Sequence, residues 1–151
     1  MKKIFIYYSY SGNGDSIAEL FKNSGYEIRK VIRKKPLSKR FLIAMLKGGF
    51  EALSKKKAKL IDFDNDVSNY DEVVIGSPIW NGRISSPINT VLSSTNLKGK
   101  KLSFVLYAGG GEAPKAIKRI KKEYVNSEII ILKEPKEYKE ELSKISSLLS
   151  K

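Results

Sequence analysis

Five short apolar runs, each followed by a segment of helical periodicity, constrain this 151-residue chain more than any other feature. The runs are Ile4-Phe5-Ile6-Tyr7, the stretch from Tyr26 to Ile32, Val73-Val74-Ile75, Leu102 to Tyr107, and Glu128 to Leu132. Apolar residues recur at helical spacing between them: Ile17, Ala18, Leu20 and Phe21; Leu37 to Leu53; Ile88, Val91 and Leu92 after Pro87; Ile117, Ile120 and Tyr124 after Pro114; and Tyr138, Leu142, Ile145 and Leu149 at the end. Buried strands alternating with helices predict a five-stranded parallel sheet wound on both faces, a three-layer α/β fold. Right-handed crossovers leave few strand orders, one of which is 2-1-3-4-5. There, strands 1 and 3 flank the switch point outside which ligands bind, and the loops after strands 1, 3 and 4 converge on it. The length suits one domain, residues 1–151, with a basic helical insertion at about 33–60.

The loop after the first strand reads Ser9-Tyr10-Ser11-Gly12-Asn13-Gly14-Asp15-Ser16 and runs straight into a helix. Free N–H groups and the positive end of the helix dipole make such a junction an anion site, and the ligand to expect is a phosphate. No G-x-x-x-x-G-K-[ST] occurs, and Ile17 stands where G-x-G-x-x-G needs its third small residue. Alternating hydroxyls at Ser9 and Ser11 suit a terminal phosphate monoester. No Lys or Arg lies between residues 9 and 16, so its charge is expected to be met by N–H and O–H dipoles. Asp15 reads as ordinary complementation of the helix dipole. Taken alone, the loop reads equally well as a capped turn without a ligand.

The loop after strand 3 runs from Gly76 through Ser77, Pro78, Ile79, Trp80, Asn81 and Gly82 to Arg83 and holds the chain's one tryptophan. Trp80 is read at a loop tip, either stacked on a flat ligand or folded over its own core. Asn81-Gly82 tolerates positive φ. The loop after strand 4, Tyr107-Ala108-Gly109-Gly110-Gly111-Glu112, has three glycines that let the backbone approach a ligand, or simply a flexible turn.

Histidine and cysteine are both absent. No imidazole base, catalytic triad or thiol chemistry can be built, so hard chemistry would need an organic cofactor. Asp62-Phe63-Asp64-Asn65-Asp66 begins like a calcium loop, but Val67 and Val73 stand where Gly and the bidentate Glu belong; no metal ligands are expected. The net charge of +13 is concentrated: residues 29–59 carry +11, the remainder +2. That segment reads as a solvated surface or as a docking face for an acidic partner, nucleic acid or an anionic membrane. No apolar run is long enough to span a membrane. The immediate start on a strand speaks against a signal peptide, and with the lack of cysteine leads us to expect a cytoplasmic protein.

Ser9-x-Ser11-Gly12-Asn13 followed by Ile17-Ala18-Glu19 resembles the FMN-phosphate loop of the flavodoxin family, commonly S/T-x-T/S-G-N-T, with Gly14 in place of the last Thr. The phrase G-S-P-I-W-N-G followed by Pro87 resembles that family's isoalloxazine-side loop, G-x-P-x-W-x-G…P. The resemblance implies an FMN-binding electron-transfer protein of 2-1-3-4-5 topology. It would place the phosphate on Ser9, Ser11, Gly12, Asn13, Gly14 and Ser16, one ring side on Pro78, Ile79, Trp80, Asn81 and Gly82, and the other on Ala108, Gly109, Gly110 and Glu112. No catalytic side chain is implied. In that family a peptide of the strand-3 loop turns over as the flavin is reduced, a role that falls here to Asn81–Gly82. Arg83 is a candidate for countering charge on the reduced ring. Flavodoxins are typically acidic and this chain is basic, so the implied redox partner is acidic. The alternatives are an NAD(P)H-dependent FMN oxidoreductase acting on quinones or similar acceptors, and a flavin-free basic scaffold for nucleic acid or acidic partners. The lysines lack interleaved aromatics, so no specific nucleic-acid readout is expected.

Overall fold

A computed structural model describes residues 1–40, 43 and 57–150. The helical stripe read from Leu37 to Leu53 and its basic exit therefore lie largely outside the described residues. Along the chain come β1 (Lys3–Tyr7), α1 (Asn13–Asn23), β2 (Tyr26–Lys30), β3 (Glu72–Trp80), β4 (Arg83–Ile84), α2 (Ser86–Ser94), β5 (Lys101–Ala108), α3 (Pro114–Glu123), β6 (Glu128–Lys133), a 3-10 helix (Lys139–Ile145) and α4 (Ser146–Leu149). Five strands form a parallel sheet in the order β2-β1-β3-β5-β6, the expected 2-1-3-4-5 arrangement once the short β4 is set aside. β4 was not foreseen. It pairs antiparallel with the end of β3, Ile79 opposite Ile84 and Trp80 opposite Arg83.

The two-residue period of the strands sorts their side chains to opposite faces. Ile4, Ile6, Val73, Ile75, Phe104 and Leu106 meet Ile88 and Val91 of α2 and Ile120 of α3. Phe5, Tyr7, Val74, Val105, Tyr107 and Leu132 meet Ile17 and Phe21 of α1 and the C-terminal Ile145 and Leu148. Pro114 begins α3 as expected, its fixed φ suited to a first turn. The C-terminal segment differs from the single α-helix anticipated. Its first seven residues wind as a 3-10 helix, with three residues per turn instead of 3.6. Leu142, Ile145 and Leu149 of the expected stripe pack on the core, joined by Leu148, while Tyr138 precedes the helix and is 38% exposed.

At the end of the sheet remote from the loops, Glu72 is fully buried. Tyr26 Oη donates to its Oε1 at 2.7 Å and Lys101 Nζ to its Oε2 at 2.9 Å. Burial opposes the charge, but the Lys101 ammonium and the Tyr26 hydroxyl outweigh it and hold the carboxyl below its usual range. A lowered folded-state pKa contributes stability that is complete above the unfolded value near 4.5 and is lost as pH falls through the folded one. Glu72→Gln is therefore expected to destabilise the protein by about 2 kcal/mol at neutral pH. In denaturant melts the gap between variant and wild type should narrow as pH falls below the unfolded value near 4.5 and close once the folded carboxyl is protonated; a gap that persists in acid would show that packing, not charge, carries the effect.

Candidate functional site

The carboxyl ends of β1, β3 and β5 are drawn together by short-range contacts. Tyr8 N–H donates to Gly76 O at 3.1 Å, tying the first loop to β3. The Tyr107 hydroxyl donates to Tyr8 O, tying it to β5. The start of α1 then presses into the space between Tyr7 and Tyr107. A Cβ on Gly14 would stand 2.6 Å from Tyr107 Oη and 2.7 Å from Tyr7 Cδ2. The glycine that replaces the usual Thr is thus the residue that lets the helix approach. Gly76 is crowded likewise by Phe5 and Tyr7 at 2.8 Å.

Within the first loop the polar side chains divide their work. Ser9 Oγ accepts from Gly14 N–H at 3.1 Å and Asp15 N–H at 3.3 Å, so it caps α1. Ser16 Oγ donates to Asn13 O at 2.7 Å and is committed inside the helix. Asn13 is a bracket: its Nδ2 donates to Ser11 Oγ at 3.1 Å and its Oδ1 accepts from Lys136 N–H at 3.1 Å. Gly12 holds φ of 95°, a left-handed turn that fans out successive amides. Among the described residues, nothing accepts from the N–H groups of Ser11, Gly12 or Asn13. Asp15 turns aside to Lys30 Nζ at 2.7 Å and the Tyr7 hydroxyl at 2.8 Å. Its partial burial opposes ionisation, but those two donors prevail and keep the carboxyl below its usual range. Burial first, and then the Asp15 carboxylate it bonds, push the Tyr7 phenol well up.

The second loop is shorter than expected. Pro78, Ile79 and Trp80 belong to β3, because pairing with β4 carries the strand past the sheet; only Asn81 and Gly82 form the turn. Their φ values of 48° and 73° are positive at both positions, as a type I′ hairpin turn requires. Trp80 is not a loop tip. It is 9% exposed and meets Tyr8 edge-on, ring centres 5.8 Å apart. Gly82 O accepts from Ala116 N–H at 3.0 Å and so caps the first turn of α3. Arg83 leaves the crest and lines a cavity of about 470 Å³ between α2 and α3, with Lys57, Lys115 and Arg119. In the third loop Ala108 is buried, Gly109, Gly110 and Glu112 are exposed, and Gly111 turns back with its N–H on Ala108 O at φ 73°. Gly110 has open space around it.

Two features of the site lay beyond the sequence reading. Tyr10, 45% exposed, is the uncovered aromatic of the first loop; its place between two serines in a strand–helix loop was the available signal. The other is charge. Each positive-φ glycine of the three loops has a lysine from another segment against it, but only Lys136, at Gly12, brings its ammonium there; Gly82 and Gly111 meet the methylenes of Lys115 and Lys133, and Lys133 Nζ lies over the Tyr138 ring. The crest can hold an anion on open amides, with one cation brought in by the fold.

The family profile described as Flavodoxin matches residues 2–146. No curated protein matches the sequence significantly. Among solved structures, a protein from Bacteroides eggerthii DSM 20697 provisionally described as a flavoprotein is 23% identical, with a TM-score of 0.72 over 85% of this chain and 87% of that one. A protein from Bacteroides uniformis ATCC 8492, described in the same way, is 21% identical with the same score over 85% and 89%. A flavoprotein from Lactobacillus acidophilus NCFM, solved in complex with FMN, is 21% identical with a TM-score of 0.58 over 85% and 89%. At these identities the likeness is one of fold.

The glycines of the site separate by what surrounds them. Gly14→Ala is expected to cost about 1–3 kcal/mol by overpacking, whereas Gly110→Ala should stay within about 0.5 kcal/mol of wild type. Chemical denaturation of both variants checks this, and equal losses would contradict the crowding described at Gly14.

Proposed function

This chain belongs to the flavodoxin family, and from that premise we propose that it binds FMN non-covalently at the crest of β1, β3 and β5 and serves as an electron carrier. The observation that carries the reading is the row of open amides at Ser11, Gly12 and Asn13, raised on a left-handed glycine at the carboxyl end of β1. Such a nest suits a phosphate monoester. Flavin supplies the redox chemistry, which a chain with neither His nor Cys cannot supply from its side chains. A relative of the same fold has been solved with FMN, which favours that ligand over other phosphates.

The residues take distinct parts. Ser9 and Gly14 seat the helix, Asn13 braces the loop, and Ser11, Gly12 and Asn13 offer N–H donors. The Asn81–Gly82 turn and the Ala108–Glu112 loop flank the ring. Trp80 and Tyr8 form the apolar floor beneath the hairpin, while the exposed Tyr10 is placed to cover the ring. Lys136 brings its ammonium to this crest and the chain carries a net charge of +13, so a protein that reaches the flavin edge meets positive charge, and the redox partner is acidic.

Purified protein titrated with FMN is expected to develop a resolved visible flavin band and to lose Trp80 emission, with micromolar or tighter affinity. The absence of both changes would exclude the FMN reading. Anaerobic addition of NADH or NADPH to the loaded protein should leave the flavin oxidised; direct bleaching would identify a reductase instead of a carrier. Electron transfer to an acidic acceptor protein such as a ferredoxin should slow as salt rises, and a rate indifferent to salt would remove the acidic partner from the picture.

A further inference from the structure

We propose that Lys136 supplies the positive charge of the phosphate site and thereby selects a phosphorylated flavin over its unphosphorylated form, an inference that rests on the FMN reading above. The loop itself holds no Lys or Arg, and its one carboxylate, Asp15, is occupied by Lys30 and Tyr7. A phosphate monoester carries close to two negative charges at neutral pH. Three amide dipoles offset part of that charge, and a cation offsets more.

Lys136 arrives from a turn after β6 that is built to bring it there. Glu134 sits at φ 39°, and its carbonyl accepts from Glu137 N–H at 2.8 Å and Tyr138 N–H at 3.0 Å. Pro135 is buried, and the Lys136 N–H donates to Asn13 Oδ1. The lysine backbone is thus registered to the phosphate loop by the same Asn13 that braces Ser11. From that anchor the side chain crosses Gly12. Its Nζ donates to Ser11 O at 3.3 Å and stands 3.3 Å from where a Gly12 Cβ would be. Gly12 therefore serves twice, by adopting positive φ and by leaving room for the ammonium. The bond to Ser11 O is long and easily exchanged. An incoming phosphate oxygen, bearing full charge, is the better acceptor for the same donor. Glu134 directs its carboxylate to Gly109, in the third loop, and leaves this end of the lysine to the phosphate.

The experiment compares FMN with riboflavin. Both are titrated into wild type, Lys136→Met, which keeps the aliphatic stem, and Lys136→Arg, which keeps the charge. Lys136→Met is expected to weaken FMN about tenfold or more and to flatten the salt dependence of FMN binding. Riboflavin affinity should change by less than about twofold, and Lys136→Arg should retain most of the FMN affinity. The proposal is overturned if wild type binds the two flavins equally, if Lys136→Met weakens both alike, or if it weakens neither. Should wild type bind neither flavin, the FMN reading fails, and inorganic phosphate decides the role of Lys136. Phosphate-dependent shifts of the Gly12 and Asn13 amide resonances, lost in Lys136→Met, would uphold it; no shifts in wild type would end it.

Discussion

The closeness of α1 to the side chains of Tyr7 and Tyr107 governs the geometry of the whole crest. It depends on a side chain that is missing. With a Cβ at Gly14 the helix would meet the Tyr107 hydroxyl at 2.6 Å, and one of the two would have to move. If the helix moved, Ser9 would lose the amides it caps, and the turn at Gly12 would no longer present its own. If Tyr107 moved, the bond to Tyr8 O that ties β5 to the first loop would break. Packing density does the rest, because interiors this close to crystalline density do not absorb a methyl group silently. The open amides of the first loop are thus a by-product of how tightly one helix meets one sheet.

Charge at the crest is arranged by separation. The only carboxylate in the first loop is turned sideways to Lys30 at the carboxyl end of β2, while Lys136, from a distant turn, brings its ammonium over Gly12. This arrangement differs from a phosphate loop that carries its own cation. The loop can stay short and uncharged, and the cation is set by a turn more than a hundred residues away in sequence. The loop and the distant turn are therefore coupled through Asn13, whose carboxamide holds one with each end. The buried Glu72, at the opposite end of the same sheet, takes no part in this and answers to Tyr26 and Lys101 instead.

The parallel sheet, its order and the convergence of loops were legible because they follow from period and alternation, which are local properties of the chain. So was the positive φ of Asn81 and Gly82, since the Asn-Gly pair encodes it. Three things were not. The extension of β3 through Trp80 depends on pairing with Arg83–Ile84, two residues too few to carry a pattern. The capping role of Ser9 cannot be told from a ligand role by residue type, because a hydroxyl serves either. The lysines over the glycines are tertiary neighbours, and Lys-Glu-Pro-Lys-Glu-Tyr at 133–138 reads as surface until the fold brings it to Gly12. The C-terminal stripe was legible at Leu142, Ile145 and Leu149, which pack on the core; the 3-10 winding of its first part was not, because the periods of 3.0 and 3.6 barely differ over two turns.

The hairpin turn after β3 has a mechanical side. The carbonyl of Gly82 is held by the Ala116 amide at 3.0 Å, so the peptide after Gly82 is clamped to α3. The peptide before it joins two residues that both sit in the left-handed region and has no such anchor among the described residues. Rotation at this corner is thereby confined to one peptide plane, like a rocker pinned at a single end. A larger displacement must first release the first turn of α3, whose Ala116 amide acts as a strain gauge for whatever presses on the turn.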